Sequence, residues 1–122
     1  MKILWISKNV PLDSQVEGLK KCFGDDVEIH QDINPFSSAY DIIHRFKSGH
    51  YDEMVLIAPL SVCRIVTDMG YKPLYSEMVP GTREDHEIAV SGSGDRITGR
   101  MRYYKFVKFK RIERIRIVFS EL

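Results

Sequence analysis

The run Met54-Val55-Leu56-Ile57-Ala58, set between Asp52-Glu53 and Pro59, limits what this chain can fold into more than any other stretch. Five successive apolar residues are too few for a buried helix, and they lack the polar alternation of a strand with one wet face. They fit a short strand covered on both faces, the situation of a central strand in a parallel sheet. Ile3–Ser7, reading Ile-Leu-Trp-Ile-Ser, has the same character. Two such strands need helices above and below them.

The sequence supplies those helices. Asp13 or Ser14 offers an N-cap, Val16, Leu19 and Phe23 follow at helical spacing, and Gly24 is the stop. Residues 26–31 alternate around Val27 and Ile29 as a second strand. Ser37 or Ser38 opens a second helix with Tyr40, Ile43 and Phe46 on one side, ending near Gly49. Beyond Met54–Ala58, Ser61 reads as the cap of a third helix through Val62, Ile65, Val66 and Met69, closed by Gly70. Residues 72–79 form a fourth strand. The order β-α-β-α-β-α-β, with right-handed crossovers, predicts a Rossmann-like three-layer α/β fold with four parallel strands in the order 2-1-3-4.

After Pro80 the pattern changes. A Gly-rich insertion, which includes Gly92-Ser93-Gly94, surrounds a strand-like stretch at 87–90. The remainder alternates apolar and basic residues and predicts a β-hairpin turning near Lys110–Glu113, antiparallel to the main sheet. The chain of 122 residues is therefore expected to be one domain, with a parallel core at 1–79 and the insertion and hairpin at 80–122.

Charge excludes little globally and says more locally. Eighteen Lys and Arg stand against seventeen Asp and Glu, so net charge points to neither a nucleic-acid binder nor an enzyme of acidic substrates. Between Arg96 and Arg116, however, nine basic residues face only Glu113. Cys22 and Cys63 have no CxxC spacing, so neither a disulfide framework nor a zinc site is expected, and a reducing compartment is the default. No stretch approaches the roughly 18 apolar residues of a membrane span, and the apolar start is too short for a signal peptide. A cytoplasmic location is the expectation.

In a sheet of this order, ligands bind beyond the strand carboxyl ends where the order reverses, here between strands one and three. The loops facing that point are Ser7-Lys8-Asn9 and Ala58-Pro59-Leu60-Ser61. Each precedes a helix N-terminus, whose free N–H groups favour an anion. Ser7, Lys8, Asn9, Ser61 and Arg64 are the candidate ligand-binding residues. The plainer alternative makes Ser61 and Asp13 simple caps and leaves Lys8 solvated. No phosphate-loop or dinucleotide fingerprint occurs, and the first loop has no glycine. The four histidines are scattered without helical i,i+4 pairing, so no metal site is expected. Of these, His30 alone is placed near the crevice, and Glu77 is the best-placed carboxylate.

The strand-one exit Trp5-Ile6-Ser7-Lys8-Asn9, the strand-three exit Ala58-Pro59-Leu60-Ser61 and the short helix after it resemble the small Rossmann-like CRISPR-associated (CARF-type) proteins that bind cyclic oligoadenylates. The likeness is one of layout over residues 1–79. It implies a homodimer acting in antiviral defence, its ligand lying across the two-fold axis against Ser7, Asn9 and Ser61. Some members cleave their ligand. Cleavage here would be of a phosphodiester, without metal or other cofactor, with Lys8 or Arg64 stabilising charge.

A reading of a different class places function in the tail. Arg102, Lys105, Lys108 and Lys110 interleave with Tyr103, Tyr104 and Phe106, a composition suited to phosphate contacts and base stacking. In that case the protein is a non-catalytic module binding nucleic acid or protein. The same charges would also serve simply to block edge-to-edge aggregation, and the tail could equally be a dimerisation arm.

Overall fold

The computed structural model describes residues 1–82, 89–91 and 102–122. The elements run β1 (Lys2–Ile6), α1 (Asp13–Phe23), β2 (Glu28–Asp32), α2 (Ala39–Ser48), β3 (Glu53–Leu56), α3 (Leu60–Asp68), β4 (Leu74–Pro80), β5 (Ala89–Ser91) and β6 (Arg102–Arg111). One sheet holds them in the order β2-β1-β3-β4-β6-β5. The first four strands are parallel, and β6 joins β4 antiparallel. This is the predicted Rossmann-like arrangement with an antiparallel C-terminal extension.

Strand alternation divides the core into two layers. Leu4 and Ile6 of β1 pack with Ala39, Ile42 and Ile43 of α2 and with Cys63 and Val66 of α3. Ile3 and Trp5 point the other way, onto Leu19 of α1, beside Val55 and Leu74. β1 is thus covered on both faces, as its continuous apolar run requires. Burial of each such large side chain contributes about 1.5–3 kcal/mol.

The helix ends show which capping signals operate. Ser38 caps α2, its Oγ accepting the Asp41 N–H at 3.2 Å. Gly24 ends α1 with φ 106°, a conformation that favours glycine. Two expected caps are corrected. Asp13 already lies in the first turn of α1; the N-cap is Leu12, whose N–H donates to Gln15 Oε1 at 2.8 Å. Ser61 lies inside α3, where Pro59 is the N-cap and no side chain caps the helix.

The C-terminal hairpin also differs from expectation. β6 runs unbroken through Lys110 and Arg111, so no turn forms at 110–113; its partners are β4 and β5. Residues 112–122 form no strand. Ile112 and Ile115 pack instead against the α2/α3 core cluster, and the Ile112 N–H donates to the Pro73 carbonyl at 2.9 Å. The alternating Ile117 and Phe119 beyond them are exposed and join no sheet ladder. Arg111 anchors the end of β6 by a two-point pair with Glu53 at 2.6 and 2.9 Å. The Gly-rich stretch 92–99 and His86 lie outside the described residues.

Candidate functional site

The sheet has a step in it. β1 stops at Ile6 and β3 at Leu56, whereas β4 pairs with β3 only at Leu74 opposite Val55 and then continues to Pro80. Leu56 is level with Tyr75, so the five residues Ser76–Pro80, roughly 17 Å of strand, project past the ends of β1 and β3, supported by β6. The step encloses a cleft of about 670 Å³, within the range of small-molecule sites. It lies at the carboxyl ends of the parallel strands, between the exits of β1 and β3. The crevice is where strand order predicts it.

Its walls are largely apolar. Ile57, Ala58 and Leu60 form one side, and Tyr75, Met78 and Tyr104 form the projecting wall. Trp5, Leu56 and Cys63 lie deeper. Lys8, Asn9, Gln15 and Ser76 are the main polar contributors to the lining. Gln15 Nε2 donates to Ser76 Oγ at 3.0 Å, a buried bond that ties α1 to β4.

The loop 7–9 is held in shape from three directions. Trp5 Nε1 donates to the Asn9 carbonyl at 3.1 Å, and the Asn9 N–H donates to Ser7 Oγ at 3.1 Å. From β2, Gln31 Nε2 donates to the Ser7 carbonyl at 3.0 Å. Lys8 and Asn9 are left exposed at the cleft. Opposite them, α3 begins without a side-chain cap. The amides of Val62 and Cys63 both bond the Pro59 carbonyl, while those of Leu60 and Ser61 have no acceptor within the helix.

Of the five candidate ligand-binding residues, Lys8 and Asn9 line this cleft. Ser7 lines a smaller neighbouring one of about 220 Å³, which Lys8 shares with Asp32 and Asn34. Asp32 there is already paired with Arg45 at 3.4 Å. Ser61 and Arg64 line neither; Arg64 instead faces Asp68, 3.8 Å away and one turn on.

Two other placements are corrected. His30 lies in the middle of β2, edge-on to the Tyr51 ring and 3.3 Å from Glu28, away from the cleft. Glu77 lies within β4, its carboxylate 2.7 Å from Lys110 Nζ. That ammonium, with a weaker contribution from Lys108, holds the Glu77 carboxyl below the usual glutamate range. The Cys63 thiol is pushed up by burial and contacts the Ala58 carbonyl at 3.6 Å, so it is a neutral wall group rather than a nucleophile. Among the described residues, no cluster of three or more His, Cys, Asp or Glu is placed to hold a metal ion. No helix among them is long and apolar enough to cross a membrane.

Tyr75, Gln15 and Ser76 were not legible as site residues, and Tyr104, read as a stacking residue of the tail, lines the cleft instead. Their place depends on how far β4 outruns β3, a matter of register. One signal existed: the strand read at 72–79 is longer than the one read at 54–58, and the longer overhangs the shorter. The basic residues of the tail lie on β6, where Lys105, Lys108 and Lys110 are exposed and Arg102 opens the strand. The chain matches no protein-family model, no curated protein and no solved structure.

Proposed function

We propose that this protein binds a nucleotide or oligonucleotide in the stepped cleft, with phosphate at the Lys8–Asn9 loop and the start of α3. The observation that carries this reading is the pairing of an apolar, tyrosine-walled cleft with one exposed cation, Lys8, at the switch point of the sheet. A base is a flat apolar body with polar edges, and Tyr75, Tyr104 and Leu60 offer surface for it. Lys8 supplies charge, and the uncapped helix start supplies N–H donors.

The layout-level resemblance narrows the ligand to a cyclic oligoadenylate bound by a homodimer in the cytoplasm. Catalysis is the weaker half of the reading. Among the described residues the lining contains no imidazole and no carboxylate. Phosphodiester cleavage would then depend on the ligand's own ribose hydroxyl and on charge stabilisation by Lys8. The competing reading, a nucleic-acid or protein module acting through β6 with an inert cleft, draws support from the exposure of Lys105, Lys108 and Lys110.

Trp5 is the sole tryptophan and lines the cleft, so its emission reports on occupancy. Titration with mononucleotides and cyclic oligoadenylates should change that emission in a saturable way. Lys8→Ala should weaken the response at least tenfold. Saturable binding that leaves Trp5 emission unchanged and ignores Lys8→Ala would place the ligand elsewhere.

A further inference from the structure

We infer that the ligand is a linear single-stranded oligonucleotide, in place of the cyclic one that the layout-level resemblance suggests, and that it continues out of the cleft along the open face of β4 and β6; the inference rests on phosphate binding in the cleft as read above. The carrying observation is a β-bulge. Between Glu77 opposite Lys108 and Met78 opposite Phe106, β6 contains one extra residue, Val107. In an unbroken strand, Lys105 and Lys108 are an odd number of residues apart and point to opposite faces. The extra residue resets the phase. Lys105, Lys108 and Lys110 now pair with Val79, Glu77 and Tyr75, which share one face of β4.

The other face receives Phe106 and Phe109, which pack over Gly18 of α1. The bulge thus sorts β6 into an apolar side against the helix and a cationic side toward water. All three lysines are exposed, and Val107 among them is 46% exposed. Glu77 offsets part of their charge through its pair with Lys110, leaving Lys105 and Lys108 available to phosphate.

Tyr75 joins the two regions. It lines the cleft, is 48% exposed, and lies directly opposite Lys110. A strand with a base against Tyr75 and a phosphate near Lys8 meets Lys110, Lys108 and Lys105 in turn as it leaves. Residues on one face of a strand recur about every 6.7 Å, a step that matches successive phosphates of an extended chain. Tyr103 shares this face by alternation and offers a further stacking surface at the far end.

Fluorescence anisotropy with a labelled single strand of about twelve adenylates, compared with a dinucleotide, tests the track. The long strand should bind at least tenfold tighter than the dinucleotide. Lys105→Gln with Lys108→Gln should erase that advantage and reduce the log–log salt slope by roughly 1.4, at about 0.7 per phosphate contact. Dinucleotide binding should be unchanged by this pair of substitutions. Equal affinity for the two lengths, or an unaltered salt slope in the double variant, overturns the track while leaving the cleft reading intact. Lysine-dependent binding of the long strand that ignores Tyr75→Ala and Lys8→Ala overturns the continuity, and loss of dinucleotide binding in the wild-type protein instead counts against the cleft. Circular dichroism of the double variant should match the wild type, because both lysines are exposed.

Discussion

Gln15 and Ser76 meet inside the molecule, with Gln15 Nε2 donating to Ser76 Oγ at 3.0 Å and each residue 6% exposed. The same Gln15 side chain accepts the Leu12 N–H, so one residue caps α1 and fastens it to the projecting part of β4. The cleft has this bond beside its inner wall. Separating α1 from the projecting part of β4 therefore breaks a buried polar contact.

Replacing Gln15 with leucine keeps the volume near that of glutamine and removes both bonds. Ser76 Oγ and the Leu12 N–H are left short of partners, at a cost of about 1–3 kcal/mol for a buried polar group. Urea unfolding should show a lower midpoint with an unchanged slope. Ser76→Ala in the Gln15→Leu background should recover part of the loss, because it removes one of the stranded groups.

Gly18 allows α1 to lie close on β6. A Cβ there would sit 3.0 Å from Phe106 Cε2 and 3.3 Å from Phe109 Cε2. Gly18→Val should destabilise by about 1–3 kcal/mol, the usual cost of overpacking. Phe106→Leu combined with it should restore stability beyond the sum of the two single changes, measured as a double-mutant cycle. An additive result would mean that the helix simply lifts away.

Glu77 predicts a pH response. Lys110 holds its carboxyl below the ordinary glutamate value of 4.5, so the folded protein binds this proton less readily than the unfolded chain. The resulting stabilisation is full above the unfolded value and is lost as pH falls through the lower, folded one. Lys110→Met should raise the Glu77 pKa in a carbon-detected NMR titration and flatten the acid side of the stability profile. The Lys72–Glu113 pair, 2.9 Å apart, should behave in the same way when Lys72 is removed.

The parallel core was legible because its strands announce themselves by composition. Ile3–Ile6 and Met54–Leu56 are buried on both faces, and only a central strand tolerates that. Helix ends were legible where the cap uses a short side chain, as at Ser38, and not where Leu12 and Gln15 share the task. The extension was harder to read. Ile115, Ile117 and Phe119 alternate with charges as a strand would, yet only Ile115 packs on the core, and Ile117 and Phe119 are exposed. The bulge at Val107 has no local signature, because it exists only in the pairing of β6 with β4. For the same reason Lys8 and Asn9 could be assigned to the cleft from topology, while Tyr75 could not.

Thermal unfolding across a panel of nucleotides, linear oligoadenylates and cyclic oligoadenylates measures the central claim, that the stepped cleft binds a phosphate-bearing ligand. A ligand present at 100 times its dissociation constant should stabilise the folded protein by about 2.7 kcal/mol, which raises the melting temperature by several degrees. Such a rise is expected with at least one member of the panel, together with its loss in Lys8→Ala, whose own melting temperature should match the wild type because Lys8 is exposed. No rise with any member, or a rise that Lys8→Ala leaves intact, contradicts the claim.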